Sequence, residues 1–220
     1  MGVDLMTPVH VADESFDWSG SALDLVVDGQ QVTLEVPGVS MTRRSFALES
    51  LELALEDGDT IPRATERARS AALSLPAPTV HQMADDVMLL DASHVSQAYA
   101  ATDVVKSVSV LCRGERRILL VAGVLDFSGD SDYDTVSAFG ALMVRLNVSL
   151  VVAVGTLARS LYLSVGMEGS WDGESQFCAD ASTAYDEVRA HVRQGDVVLV
   201  LGSLEEPLDS LVTQLRSGLA

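Results

Sequence analysis

The chain has 220 residues, 48% of them hydrophobic, and a formal net charge of −18 from 14 basic and 32 acidic side chains. That apolar content excludes a disordered chain and suffices for a sizeable core, in one large domain or two small ones. The acid excess excludes sequence-independent binding to nucleic acid or anionic lipid, both of which require clustered cations. A solvated acidic surface that aids solubility is its plainest meaning. No apolar run approaches the roughly 18 residues of a membrane span. The start, MGVDLMTPVHVADESFDW, has early acids and no basic region, unlike a secretory leader, and Met6 stands where an acylation signal needs Ser or Thr. The expectation is a cytoplasmic protein in which the two cysteines, Cys112 and Cys178, are free thiols, with neither a disulfide nor a metal site.

In chain order, the first 18 residues show no periodicity, so 1–20 is expected to be a partly extended leading segment. SALDLVVDGQQVTLEVPG then alternates as two strands joined at Asp28-Gly29, a strong hairpin signal. Ala47, Leu48, Leu51 and Leu55 recur at helical spacing, with Gly58 as the stop. TIPRATERARSAALSLP predicts a second helix, with Pro62 in its first turn and Pro76 ending it. TVHQMA and VMLLDA predict two short strands turning at Asp85-Asp86. From there helix and strand alternate strictly: SQAYAATDVVKSVSVLC, RRILLVAGV, SDYDTVSAFGALMVRLN, SLVVAVG, TLARSLYLSVG, SQFCA, ASTAYDEVRAHVRQG, DVVLVLG and EEPLDSLVTQLRSG. Continuous apolar strands between helices require a parallel sheet covered on both faces. The fold class is therefore α/β: a doubly wound, mostly parallel sheet over 91–220, preceded by a small α+β segment over 21–90.

The motifs that suggest chemistry each have a plainer reading. No phosphate loop GxxxxGK[ST] occurs, and no lysine follows a glycine. GMEGSWDG follows a helix and not a strand, which favours an ordinary loop. Asp130, Asp132 and Asp134 begin like a calcium loop, but Thr135 and Ala141 occupy its glycine and bidentate glutamate positions. Acids in a first helical turn are the better account. Asp91, Ser93 and His94 stand at a predicted strand end, where open α/β sheets bind ligands. No nucleophile elbow accompanies them, and a polar loop capping the next helix is the better account. His10, His81 and His191 are dispersed and suggest no metal cluster.

LLDASHVSQAYAATDVV, RRILLVAGVLDFSGDS, SLVVAVGTLARSL and QGDVVLVLGSLEEPLDSLVTQL together resemble the last domain of the Mur ligase family. This family resemblance implies that the sheet over 91–220 is Rossmann-like. The nearest branch joins D-alanyl-D-alanine to UDP-muramyl tripeptide. VTLEVPGVSMTRRSFALESLELAL resembles the end of that family's central, ATP-binding domain, so the resemblance covers about nine-tenths of the chain. The family's polar signatures are altered. Its central-domain G-x-H-N-x-x-N keeps Gly38 but has Ser40, Met41 and Arg44; its Arg-Met turn is Gln82-Met83. Its Y-N-A-N-P loop is Ser93-His94-Val95-Ser96-Gln97, and its G-D-M is Ala122-Gly123-Val124, with Asp126 nearby. A helix-opening histidine is Val136, and Lys-Gly-Ser-Arg is Leu201-Gly202-Ser203-Leu204.

The resemblance implies a divergent, non-catalytic relative that needs no cofactor and works through a protein partner in peptidoglycan synthesis. That partner, a second copy or a full-length cell-wall ligase, is expected to cover a face or edge left open by the hairpins of 21–90. The family's reaction needs a phosphate loop, magnesium carboxylates and a modified lysine, and nothing in residues 1–40 supplies them. The alternative is a small-molecule or residual enzymatic site at the strand ends for a muramyl-peptide or D-alanyl-D-alanine-like ligand. Its candidate residues are Asp91, Ser93, His94, Ser96, Asp126, Gly202 and Ser203.

Overall fold

The computed structural model describes residues 9–127, 132–167, 171–205 and 207–219, with only the backbone of 132–134. They form two compact units divided between Ala77 and Pro78.

In the first unit, β1 (Val9–Asp17), β2 (Gly20–Val27) and β3 (Gln30–Pro37) form an antiparallel sheet in that order. Leu23, Leu25, Val27, Leu34 and Val36 line its inner face, against Ala47, Leu51 and Ala54 of α1 (Met41–Glu56) and Ala64, Ala68 and Ala72 of α2 (Ile61–Leu73). The alanines of α2 let helix and sheet approach closely. The predicted hairpin turns at Asp28 and Gly29, both at positive φ (49° and 76°), as a two-residue primed turn requires. The Ser40 side chain caps α1 by accepting from the Arg43 N–H. Arg43 in turn ties the sheet end to the end of α2, donating from Nη1 to the Pro37 carbonyl and from Nε to the Leu75 carbonyl, each at 2.8 Å.

Within the leading segment 1–20, residues Val9–Asp17 are extended as the strand β1. β1 lacks the apolar alternation because most of its residues are exposed and a register shift interrupts it between Val11 and Asp13. The hairpin's outer face carries Ala22, Asp24, Val26, Thr33 and Glu35 and is largely polar; Thr33 donates to Asp24 at 2.7 Å. The edge strands β1 and β3 have one neighbour each in this sheet.

The second unit is built on a six-stranded sheet, ordered β4 (Thr79–Gln82), β5 (Met88–Ala92), β9 (Val197–Leu201), β6 (Ile118–Ala122), β7 (Leu150–Val154) and β8 (Glu174–Cys178). All neighbours are parallel except β4 with β5, which turn through Asp85 and Asp86 at positive φ. The units therefore divide earlier than residue 90, because the β4–β5 hairpin belongs to the larger sheet. The intervening helices are α3 (Ala98–Cys112), α4 (Asp132–Arg145), α5 (Arg159–Gly166), α6 (Ala181–His191) and α7 (Asp209–Gly218). Leu89, Leu119, Val121, Val152, Val198 and Val200 share one core with Ala184 and Val188 of α6 and Leu211, Val212 and Leu215 of α7. α5 lies along β7 and β8 and packs against α4. β6, β7 and β9 are buried at every position, which explains their unbroken apolar sequence. Cys112 and Cys178 are buried free thiols, and burial pushes each up to about 11.

Candidate functional site

In a parallel sheet the strands deliver their following loops to one edge, and here the loops after β5, β9 and β6 are laced together. After β5, the Asp91 carboxylate accepts from the Ser93 N–H (3.0 Å) and Ser93 Oγ (2.7 Å), a local Asx-type turn. Ser93 Oγ also lies 3.2 Å from the carboxylate of Asp209, the first residue of α7. This polar loop does not cap the next helix, because the Gln97 side chain makes no capping bond to α3. His94 is exposed. The Asp126 N–H donates to the Ser96 carbonyl (2.7 Å) and the Ala98 N–H to the Asp126 carbonyl (2.9 Å), zipping the β5 loop to the β6 loop. The Gly202 N–H donates to the Val95 carbonyl at 2.9 Å. A Cβ at Gly202 would stand 2.4 Å from the Ser93 carbonyl oxygen, so the close approach requires glycine. Ser203 Oγ accepts from the N–H groups of Val124 (3.1 Å) and Glu205 (3.3 Å).

The seven sequence candidates thus share one edge, but six of them are engaged in these bonds, Asp91 within its own turn and the other five from one loop to another. What opens at this edge is a cleft of about 320 Å³ beside the ends of β6 and β7. Of the seven, Asp126 alone lines it, together with Gly123, Val124, Leu125, Phe127, Val136, Leu157, Ala158, Ser160, Leu161 and Leu204. No lysine, arginine or histidine stands among these described lining residues. Phe127 is held edge-on to Phe139 of α4, their ring centroids 6.1 Å apart at 70°. Leu157 and Leu204 are 63% and 57% exposed. Leu201 is completely buried and belongs to the core, not the cleft.

Gly123 explains part of this shape. A Cβ there would lie 2.1 Å from Ser203 Cβ and 2.4 Å from Ser203 Oγ, so Ser203 occupies the space of any side chain at 123. Leu157, Ala158, Ser160 and Leu161 were not anticipated as site residues. They follow Gly155 at the end of β7, in a 3₁₀ turn (Thr156–Ala158) and the start of α5. The strand-end rule that drew attention to Asp91 applied equally there.

Arginines gather at the opposite edge of the sheet. Arg116 pairs with Asp86 at 2.7 Å and Arg117 with Asp196 at 3.1 Å. Asp196 is buried, and burial raises its carboxyl above the ordinary value; the Arg193 N–H and the charge of Arg117 offset part of that rise. Among the described residues no group of three His, Cys, Asp or Glu is placed to hold a metal ion, and no helix is long and apolar enough to cross a membrane. Asp130, the side chains of Asp132 and Asp134, and residues 168–170 of the glycine-rich stretch lie outside the described residues.

The fold is similar to part of several solved Mur ligases. MurF of Acinetobacter baumannii superposes with a TM-score of 0.69 at 16% identity, over 95% of this chain and 45% of that one. MurF of Thermotoga maritima, solved with ADP, gives 0.67 at 13% identity over 96% and 46%. MurC of the same organism gives 0.66 at 11% identity over 96% and 45%. The fold class is thus a Mur-ligase-like C-terminal region. In sequence, the chain is 36% identical over 102 residues to the UDP-N-acetylmuramoyl-tripeptide–D-alanyl-D-alanine ligase of Mycobacterium leprae, across 46% of this chain and 20% of that protein. No protein-family profile matches. The chain spans less than half the length of these relatives.

Proposed function

We propose that this is a cytoplasmic, Mur-ligase-like binding protein of peptidoglycan synthesis that performs no ligase chemistry itself and acts by contact with another protein. One observation carries the reading. Gly123, Val136 and Leu204, where the resembling family has Asp, His and Arg, all line the same cleft. Making and consuming an acyl phosphate requires charged donors aimed at carboxylate and phosphoryl oxygens. A cleft whose described lining has one carboxylate and no cation offers the wrong sign. The alternative, a muramyl-peptide or D-alanyl-D-alanine ligand held by the strand-end residues, is weakened by their engagement with one another.

A thermal-unfolding scan with Mg-ATP, UDP-muramyl tripeptide or D-alanyl-D-alanine in large excess tests the first half of the proposal. A ligand at 100 times its dissociation constant stabilises by about 2.7 kcal/mol, which raises the midpoint of a chain of this size by roughly 5 to 10 °C. The expected result is no shift; a rise with the tripeptide or the dipeptide overturns it. Sedimentation of the protein alone and mixed with purified full-length cell-wall ligases tests the second half. A complex is expected, and a strict monomer that binds none of them overturns the partner.

A further inference from the structure

The strand-end cleft has a size, a lining and a charge that together describe an occupant. At about 320 Å³ it lies near the floor of ligand pockets, roughly 300 to 1,000 Å³. That volume takes a bulky side chain and not a sugar nucleotide with its peptide. Val124, Leu125, Phe127, Val136, Leu157, Leu161 and Leu204 make it apolar, and Leu157 and Leu204 stand well exposed at its border. Exposed leucines around an apolar hollow are how a protein receives another protein's anchor residue.

The electrostatics narrow the partner further. Asp126 is the charged residue of the described lining, and the Glu205 carboxylate stands 3.9 Å from where a Cβ on Gly155 would lie. Asp91 and Asp209 flank Ser93 on the same edge. Arg116 and Arg117 are turned to the far edge and paired there. Arg159, which opens α5 between the lining residues Ala158 and Ser160, is an exposed cation beside the cleft. With a net charge of −18, a second copy of this chain meets repulsion, whereas a basic segment is attracted.

We propose that the cleft is a docking socket for a basic segment of a different protein. That segment inserts one aromatic or branched aliphatic side chain beside Leu157 and Leu204 and sets a neighbouring lysine or arginine toward Asp126 and Glu205. This deepens the non-catalytic reading above and rests on it.

The probe is a short peptide with one tryptophan between two lysines, titrated into the isotope-labelled full chain at physiological salt and followed by NMR. Two controls replace the tryptophan by alanine or the lysines by glutamate. The expected shifts centre on Val124, Leu157, Leu161 and Leu204, and each control binds at least about tenfold more weakly. Leu204→Arg weakens the lysine–tryptophan peptide by the same factor while the unfolding midpoint stays put, since that side chain is exposed. Equal binding of the alanine control, shifts spread over the acidic surface, or no binding at millimolar peptide overturns the socket. Such a failure with a silent ligand scan leaves the non-catalytic reading standing; a midpoint shift with UDP-muramyl tripeptide removes both.

Discussion

Gly123→Ala is a single-methyl change whose cost can be worked from the structure. Gly123 does not occupy the left-handed region, so alanine is not refused by the backbone; the obstacle is contact. The new Cβ meets Ser203 Cβ at 2.1 Å and Ser203 Oγ at 2.4 Å, distances at which something must move. Overpacking of this kind costs about 1 to 3 kcal/mol, or roughly 2 to 12 °C in midpoint. Ser203→Gly alone removes the acceptor for the N–H groups of Val124 and Glu205 and costs about 1 to 2 kcal/mol. In the double variant the nearest remaining Ser203 atom among those contacts is Cα at 3.1 Å, tight but tolerable. The two changes are therefore expected to be non-additive, the pair costing at least about 1 kcal/mol less than the sum. Urea unfolding of the four proteins in a Trp18→Phe background measures this. Trp171, whose Nε1 donates to the Val148 carbonyl at 2.9 Å, then reports on the second unit. Additivity within about 0.5 kcal/mol would refute the argument that Ser203 fills the place of a side chain at 123.

Two further substitutions probe polar contacts in the two units. Arg43→Lys is expected to destabilise the first unit by about 1.5 to 3 kcal/mol, because an ammonium cannot span the Pro37 and Leu75 carbonyls as the guanidinium fork does. Urea unfolding followed by Trp18 fluorescence checks it, and an unchanged midpoint contradicts the clamp. Asp196→Asn tests the raised carboxyl. A group whose folded pKa lies above its unfolded value, here 3.8, contributes stability that is full below that value and lost as pH rises through the folded pKa. The wild type should thus lose ground to the non-titrating variant as pH rises from about 4 through that window. Urea midpoints across the range measure it, and a pH-independent difference refutes the assignment.

Where burial dictates sequence, the fold was legible. β6, β7 and β9 are buried at every residue and read as unbroken apolar runs, and Asp28-Gly29 announced its own turn. β1 was illegible because an exposed strand with a register shift has no reason to alternate. The unit boundary was misplaced because β5 joins β9 across more than a hundred residues, a pairing that local pattern does not carry. At the candidate site, the strand-end rule drew attention to the edge at which the cleft opens. Sequence alone did not reveal that Asp91 satisfies Ser93, that Ser203 serves Val124, or that Leu157 and Leu204 border one cleft. Those facts depend on loops remote in sequence meeting in space.

The buried cysteines have a practical consequence. With both thiols pushed up to about 11, little thiolate exists at neutral pH, and burial denies reagents access to what there is. The folded protein is in effect silent to maleimides, so a single cysteine introduced at Leu204 would take a fluorophore or spin label selectively. The natural chain thereby serves as its own cysteine-free background for measuring distances across the cleft.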